Sequence, residues 1–260
     1  SSQMAPTAEC GRMNSAIRSG IAAMLGLIIL WQIIVSLTGV PRFILPSPYL
    51  VGVSFIENRG LIFEHMLVTL TEVIFGLIIG IALGMITALQ FEISPTAKFF
   101  LKPVLIFSQA IPVFALAPVL TLWLGYGMIS KVTMAVLIIY FPVTSAFHDG
   151  LTRTPQGLLD LSKVMQAKPL RLLFLIKLPA AVPNLLSGIR LAAVYAPIGA
   201  VIGEWVGSSQ GLGYLMLLAN GRVKTDLMFA ALFTLGFMSM SLYGLITIWI
   251  KLAFKRFDIP

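Results

Sequence analysis

Charge is what this sequence has least of. Only 11% of its 260 residues are Asp, Glu, Lys or Arg, 58% are hydrophobic, and the mean hydropathy is +0.96. A soluble domain carries roughly twice that share of charge. A water-facing surface over most of the chain is therefore excluded, and lipid has to take its place. The single cysteine, Cys10, excludes a disulfide framework and a cysteine-rich metal site. Two histidines, His65 and His148, with no HExxH and no CxxC, supply no metal constellation. No Gly-Lys dipeptide occurs, so the GxxxxGK(S/T) phosphate loop is absent and any ATP is hydrolysed by another chain. A formal net charge of +8 would suit nucleic acid. The basic residues, however, sit between apolar runs and form no patch interleaved with aromatics, so no nucleic-acid partner is expected and the lipid bilayer is.

What the sequence does have is long apolar runs. A bilayer core needs roughly 20 apolar residues in helix, and six segments qualify, at about 18–38, 66–90, 103–124, 129–148, 184–206 and 227–252. The runs are continuously apolar and do not alternate, which predicts an all-α membrane bundle and not a barrel. They read as one membrane domain over 18–255, with polar tails at 1–17 and 256–260. The chain opens on Ser1-Ser2-Gln3, so Met4 or Met13 is the expected start. The first run is too long for a cleaved signal peptide and lacks a cleavage site. With the N-terminus inside, twelve Lys and Arg fall on inner segments and five on outer loops, namely Arg42, Arg59, Lys131, Arg222 and Lys224. That bias places both termini in the cytoplasm.

Within the second run, Gly76, Gly80 and Gly84 share one helical face, where the missing Cβ atoms predict close helix packing. Pro112, Pro118, Pro142 and Pro197 lie inside apolar runs, where each removes a backbone hydrogen bond. Broken helices line transport pathways, so Gln109, Pro112, Phe114, Pro118 and Pro197 are pathway candidates, with Phe107 and Trp123 as further aromatics. Charges inside the membrane must be paired, interfacial or wet. Glu72 is expected one turn into its helix from outside, and Arg190 about one turn from the cytoplasmic face. Glu204, near the outer end of its run, reads either as an interfacial anchor or as a gate residue.

The most informative stretch is the inner loop at about 149–183. Thr154 can cap a helix that has Pro155 at its first position. Leu158, Leu161 and Met165 then share a face, while Asp160, Lys163 and Gln166 point elsewhere. Pro169 ends that helix, and a second short one runs to about Leu178 before Pro179 and Pro183 stop it. Two short amphipathic helices at the inner surface form a docking element.

This loop resembles the coupling motif of bacterial ABC importer permeases, which begins Glu-Ala-Ala, has Gly six positions after the Glu, and ends aliphatic-x-Leu-Pro. Asp160 takes the Glu place, Leu161 and Ser162 the Ala places, Gln166 the Gly place, and Ile176, Leu178 and Pro179 the end. Gln166 departs from the pattern, because Gln adopts a positive φ less cheaply than Gly. Further matches are Gly188-Ile189-Arg190, Gly203-Glu204-Trp205 and Gly211-Leu212-Gly213-Tyr214. Together these resemble the type I, binding-protein-dependent permeases of the nitrate, sulfonate and taurine branch. Ser108 to Pro118 and Ala196 to Ala200 resemble permeases for hydroxymethylpyrimidine, a thiamine precursor.

The resemblance implies a permease of the bacterial inner membrane, not itself an enzyme. It implies a second permease copy, a periplasmic or lipid-anchored solute-binding protein, and an ABC ATP-binding subunit that holds ATP and Mg. Asp160, Leu161, Ser162, Val164, Met165, Gln166, Ala167 and Lys168 would form the segment docked on that subunit. A self-contained secondary carrier is the rival reading, but no clear internal repeat supports one.

Overall fold

The computed structural model describes residues 6–257, with side chains over 22–253. Eleven α-helices follow one another: α1 Pro6–Thr38, α2 Pro48–Glu57, α3 Arg59–Ile93, α4 Pro95–Ala110, α5 Val113–Leu124, α6 Met128–Thr152, α7 Gln156–Val164, α8 Pro169–Leu172, α9 Leu178–Gly207, α10 Leu212–Gly221 and α11 Thr225–Phe257. Among the described residues there is no strand.

The breaks follow local chemistry. Ser47 accepts a bond from the Leu50 N–H ahead of Pro48, and Ser94 accepts one from Ala97 ahead of Pro95, in each case a polar cap followed by proline. Between α5 and α6, Gly125 takes φ +81°, a conformation open to glycine at no steric cost.

Among the described residues, four helices are long and apolar enough to cross a membrane: α3, α6, Pro169–Gly207, and Thr225–Ala253 within α11. The pair α4 and α5 makes a fifth if counted as one broken span, and Ala22–Thr38 is a shorter apolar helix. This is fewer than the roughly six spans expected. The third expected run is interrupted at Ile111-Pro112, where the chain turns through 104°. The proline there cannot donate to the preceding turn and restricts Ile111 to extended backbone. By contrast, α6 passes through Pro142 and α9 through Pro197 without a break.

Two further expectations fail at the other breaks. Thr154 does not cap α7. Its hydroxyl donates back to the Leu151 carbonyl at 3.1 Å, leaving Pro155 as the cap residue with no side-chain bond. Nor do Pro179 and Pro183 end a helix. The chain continues from Pro169 to Gly207 because a π-turn at Leu173–Lys177 adds one residue to the winding just before Pro179. Pro179 then falls in the first turn of α9, where a missing N–H is tolerated. The polar tail expected at 1–17 is helical backbone from Pro6 onward, and residues 1–5 lie outside the described ones.

At the centre, α6 lies between α3 and α9. Val73 and Leu77 of α3, Ile139, Val143 and Phe147 of α6, and Leu185, Ala192 and Ala196 of α9 form the main core. A second core joins α2, α10 and α11 around Leu212, Leu215, Ala230 and Ala231. Elsewhere large apolar side chains face outward, with Leu122 81% and Phe237 74% exposed. A hydrocarbon environment accommodates such a surface without penalty.

Gly76, Gly80 and Gly84 face α6. A Cβ on them would stand 2.6 Å from Ala135 Cβ, 2.6 Å from the Ile139 side chain and 2.8 Å from Val143 Cγ1. From the opposite side, a Cβ on Gly199 would stand 2.6 Å from Ala135 Cα. Ala135 is thus gripped between two glycines, and three helices meet nearly backbone to backbone.

Candidate functional site

The two ends of the bundle carry different chemistry. At one end lies α7, which presents apolar side chains to no neighbour: Leu161 is 52%, Val164 82% and Met165 71% exposed. Leu158 is exposed as well, whereas Ser162 is buried and its hydroxyl donates to the Leu159 carbonyl. Asp160 accepts hydrogen bonds from Lys163 Nζ at 3.1 Å and Gln156 Nε2 at 3.3 Å. The Lys163 ammonium, helped by Gln156, holds the Asp160 carboxyl below the usual carboxylate range. It stays charged on an open surface, where the pair itself adds little stability.

The end of α7 closes on a Schellman turn. Ala167 N–H donates to the Ser162 carbonyl at 2.9 Å and Gln166 N–H to the Lys163 carbonyl at 3.0 Å. Gln166 accordingly sits at φ +50°. This is the conformation for which the resembled motif uses glycine, adopted here by a residue that pays about 1 kcal/mol for it. Lys168 and Pro169 then open α8. Gln166→Gly is expected to slow amide exchange at Ala167 by about threefold to tenfold. Unchanged exchange would mean the turn is held by something other than its own backbone bonds.

At the opposite end a buried polar cluster gathers α3, α6, α9 and α10. Glu204 of α9 is 1% exposed. One of its carboxylate oxygens accepts from Thr69 Oγ1 at 2.6 Å, and the other accepts from the Gly213 backbone N–H. Thr69 Oγ1 in turn accepts from Leu212 N–H at 2.8 Å, and His65 Nδ1 accepts from Gly211 N–H at 2.9 Å. Three successive amides at the start of α10 are therefore capped by side chains from α3 and α9. The N-cap residue of α10, Gly211, has no side chain to do it. Gly211 sits at φ +106°, and a Cβ there would lie 2.2 Å from the Glu204 carboxyl carbon, so only glycine fits. Beside this cap, Lys131 Nζ stands 3.6 Å from Glu72 Oε1, both side chains buried.

Several sequence expectations change here. Lys131 is not a solvated loop charge; it lies in the first turn of α6 and faces α3. Glu72 is thirteen residues into α3, because that helix begins at Arg59 and not at the start of the apolar run. It is too deep to act on the helix N-terminus and instead faces Lys131. Arg190, expected one turn in, is twelve residues into α9 and half-buried, with its Nε unpartnered. Glu204 bonds inward to the cap, as an anchor would. Among the pathway candidates, Gln109, Pro112, Phe114 and Pro118 lie exposed on α4, α5 and the bend between them, whereas Pro197 is buried on the inner side of α9. Among the described residues no group of His, Cys, Asp or Glu could hold a metal ion.

The chain as a whole has relatives among known proteins. The profile described as "Binding-protein-dependent transport system inner membrane component" matches residues 80–259. The chain belongs to this family. Relatives of the permease span most of its length. It is 52% identical over 84% of its residues to a Haemophilus influenzae protein named "Probable ABC transporter permease protein", covering 89% of that protein. It is 35% identical to the formylaminopyrimidine transport permease protein ThiX of Halalkalibacterium halodurans, over 82% of this chain and 86% of the other. It is 37% identical to the riboflavin transport system permease protein RibX of Chloroflexus aurantiacus, over 84% and 82%.

Among solved structures, the inward-facing MetNI methionine ABC transporter aligns with a TM-score of 0.55 at 18% identity, over 79% of the permease and 97% of that chain. That likeness establishes the type I importer fold. As a member of this family the permease is a multi-pass inner-membrane transport subunit that works with an ATP-binding subunit and a binding protein.

Proposed function

We propose that two copies of the permease line the pathway of an ATP-driven importer for a small nitrogen-heteroaromatic solute, a thiamine-precursor pyrimidine such as hydroxymethylpyrimidine. The exposed apolar ridge of α7 carries the coupling half of this reading. A surface of Leu161, Val164 and Met165 that the described chain leaves half to four-fifths exposed supports a protein partner. The resemblance makes that partner the ATP-binding subunit, with α7 and both termini in the cytoplasm. Closure of the nucleotide subunits then drives the bundle between two discrete packings. The solute half rests on the relatives at 35% and 37% identity, both named for heteroaromatic solutes. A sulfonate permease at 30% and a taurine permease at 22% support a second reading, a small anion.

Affinity purification of the tagged permease from native membranes tests the coupling. The native chain should bring a stoichiometric ATP-binding subunit with it. Val164→Asp would bury a carboxylate on docking and should lower that recovery by at least about tenfold. Asp160→Arg should leave insertion intact and uncouple uptake from hydrolysis. Transport in liposomes by the permease alone, without ATP, would replace the importer by a self-powered carrier. Uptake of labelled hydroxymethylpyrimidine, competed by formylaminopyrimidine but not by taurine, would support the solute. Competition by taurine alone would establish the anion reading instead.

A further inference from the structure

The side of α4 carries a groove that no other part of the described chain covers. It measures about 660 Å³ and is lined by Lys98, Phe99, Lys102, Ile106, Phe107 and Ala110, with Pro103 between them. Its floor is apolar and its mouth is basic. Lys98 and Lys102 stand four residues apart and so share a helical face. Among the described residues neither has a carboxylate within ion-pairing distance, and Glu92, the nearest acid at the end of α3, is joined to Lys177. The two lysines also occupy the first two turns of α4, whose opening turn holds no acidic residue. Cations at that end of a helix are disfavoured by its dipole unless an anion comes to them. Both lie within electrostatic reach of His148, on the α6 end that leads into α7, which fixes the side of the membrane on which they sit.

We propose that this groove binds one anionic phospholipid, its phosphate between Lys98 and Lys102 and an acyl chain along Ile106, Phe107 and Ala110. The dimensions fit. From Lys98 to Ala110 is twelve residues, or about 18 Å of helix, and half the hydrocarbon core of a bilayer is about 15 Å. A basic pair at the mouth of an apolar groove, at membrane depth, suits a phosphate with a tail and not a free anion, which would leave the apolar floor unfilled. The lipid would fill the concave flank just before the 104° bend between α4 and α5. The inference needs this flank of α4 to face lipid and not the second permease copy, and it stands apart from the choice of solute.

Native mass spectrometry of the permease copurified with its ATP-binding subunit, supplied with phosphatidylglycerol or phosphatidylcholine, tests it. Each lysine near the headgroup is worth about fivefold, so the native protein should prefer phosphatidylglycerol by roughly twenty-five-fold. Lys98→Gln with Lys102→Gln should reduce the preference to within about twofold, and Lys98→Arg with Lys102→Arg should keep it. The arginine variant, together with unchanged recovery of the ATP-binding subunit, separates lost binding from lost folding. Equal retention of both lipids by the native protein would overturn the proposal. So would efficient cross-linking between two copies through Phe107→Cys, because it would mean that a second permease covers the groove.

Discussion

Glu204→Ala is expected to destabilise the permease by about 3–5 kcal/mol, the largest effect of any single side-chain truncation at the α10 end. The reason is the number of groups that depend on one carboxylate. Its removal leaves the Gly213 amide without an acceptor in a site closed to water and forces the Thr69 hydroxyl from a 2.6 Å bond onto the longer 3.3 Å one to the His65 carbonyl. Each orphaned buried group costs about 1–3 kcal/mol, and α10 loses the negative charge at its N-terminus. Glu204→Gln is a sharper probe. With the Gln carbonyl oxygen on the Gly213 amide, its nitrogen faces Thr69 Oγ1, which can accept only by turning its own proton to the longer bond with the His65 carbonyl. It should lose roughly half as much. Thermal unfolding of the detergent-solubilised protein, read by tryptophan emission, measures both against Glu57→Ala on the exposed surface of α2. If Glu204→Ala melted within about a degree of that control, the carboxylate would not be what holds α10.

Gly199→Ala should be nearly as damaging, although in an isolated helix the same change is stabilising by up to about 1 kcal/mol. The added methyl would meet Ala135 Cα at 2.6 Å and Ala135 N at 2.9 Å, backbone atoms that cannot rotate away. Relief requires α6 and α9 to separate, and Gly76 already closes the other side of Ala135. Overpacking of this kind costs about 1–3 kcal/mol, and more where the backbone has to move. Gly236→Ala in α11, where nothing lies within 4 Å, should show the opposite sign. Comparing the two melting temperatures isolates the close approach from helix propensity. Equal shifts would mean that α6 and α9 tolerate separation.

What could be read from the chain was what is encoded locally or by composition. Apolar runs are short-range signals, and the spacing of Gly76, Gly80 and Gly84 shows which face is smooth. What could not be read was settled at long range. Lys131 looked like a loop charge because its partner, Glu72, lies 59 residues upstream. The cap of α10 draws on His65 and Thr69, well over a hundred residues away. Pro179 looked like a stop because one added residue of helical winding cannot be seen in a hydropathy profile. Gln166 argued against the turn it makes. The backbone bonds of the Schellman motif outweigh its local preference, and Val223 makes the same turn after α10, at φ +57°, against a stronger one.

The π-turn at Leu173–Lys177 has a mechanical meaning. Because it keeps Pro179 from severing the chain, Pro169 to Gly207 forms one rod of 39 residues, roughly 58 Å long. Its near end is joined to α7 through Lys168, and its far end carries Glu204. A torque applied at the α7 end would therefore be carried along one continuous helix to the residue that clamps α10. The same extra residue is the one place where the rod can be rewound, from five-residue to four-residue hydrogen bonding, turning one end against the other by about a quarter of a turn.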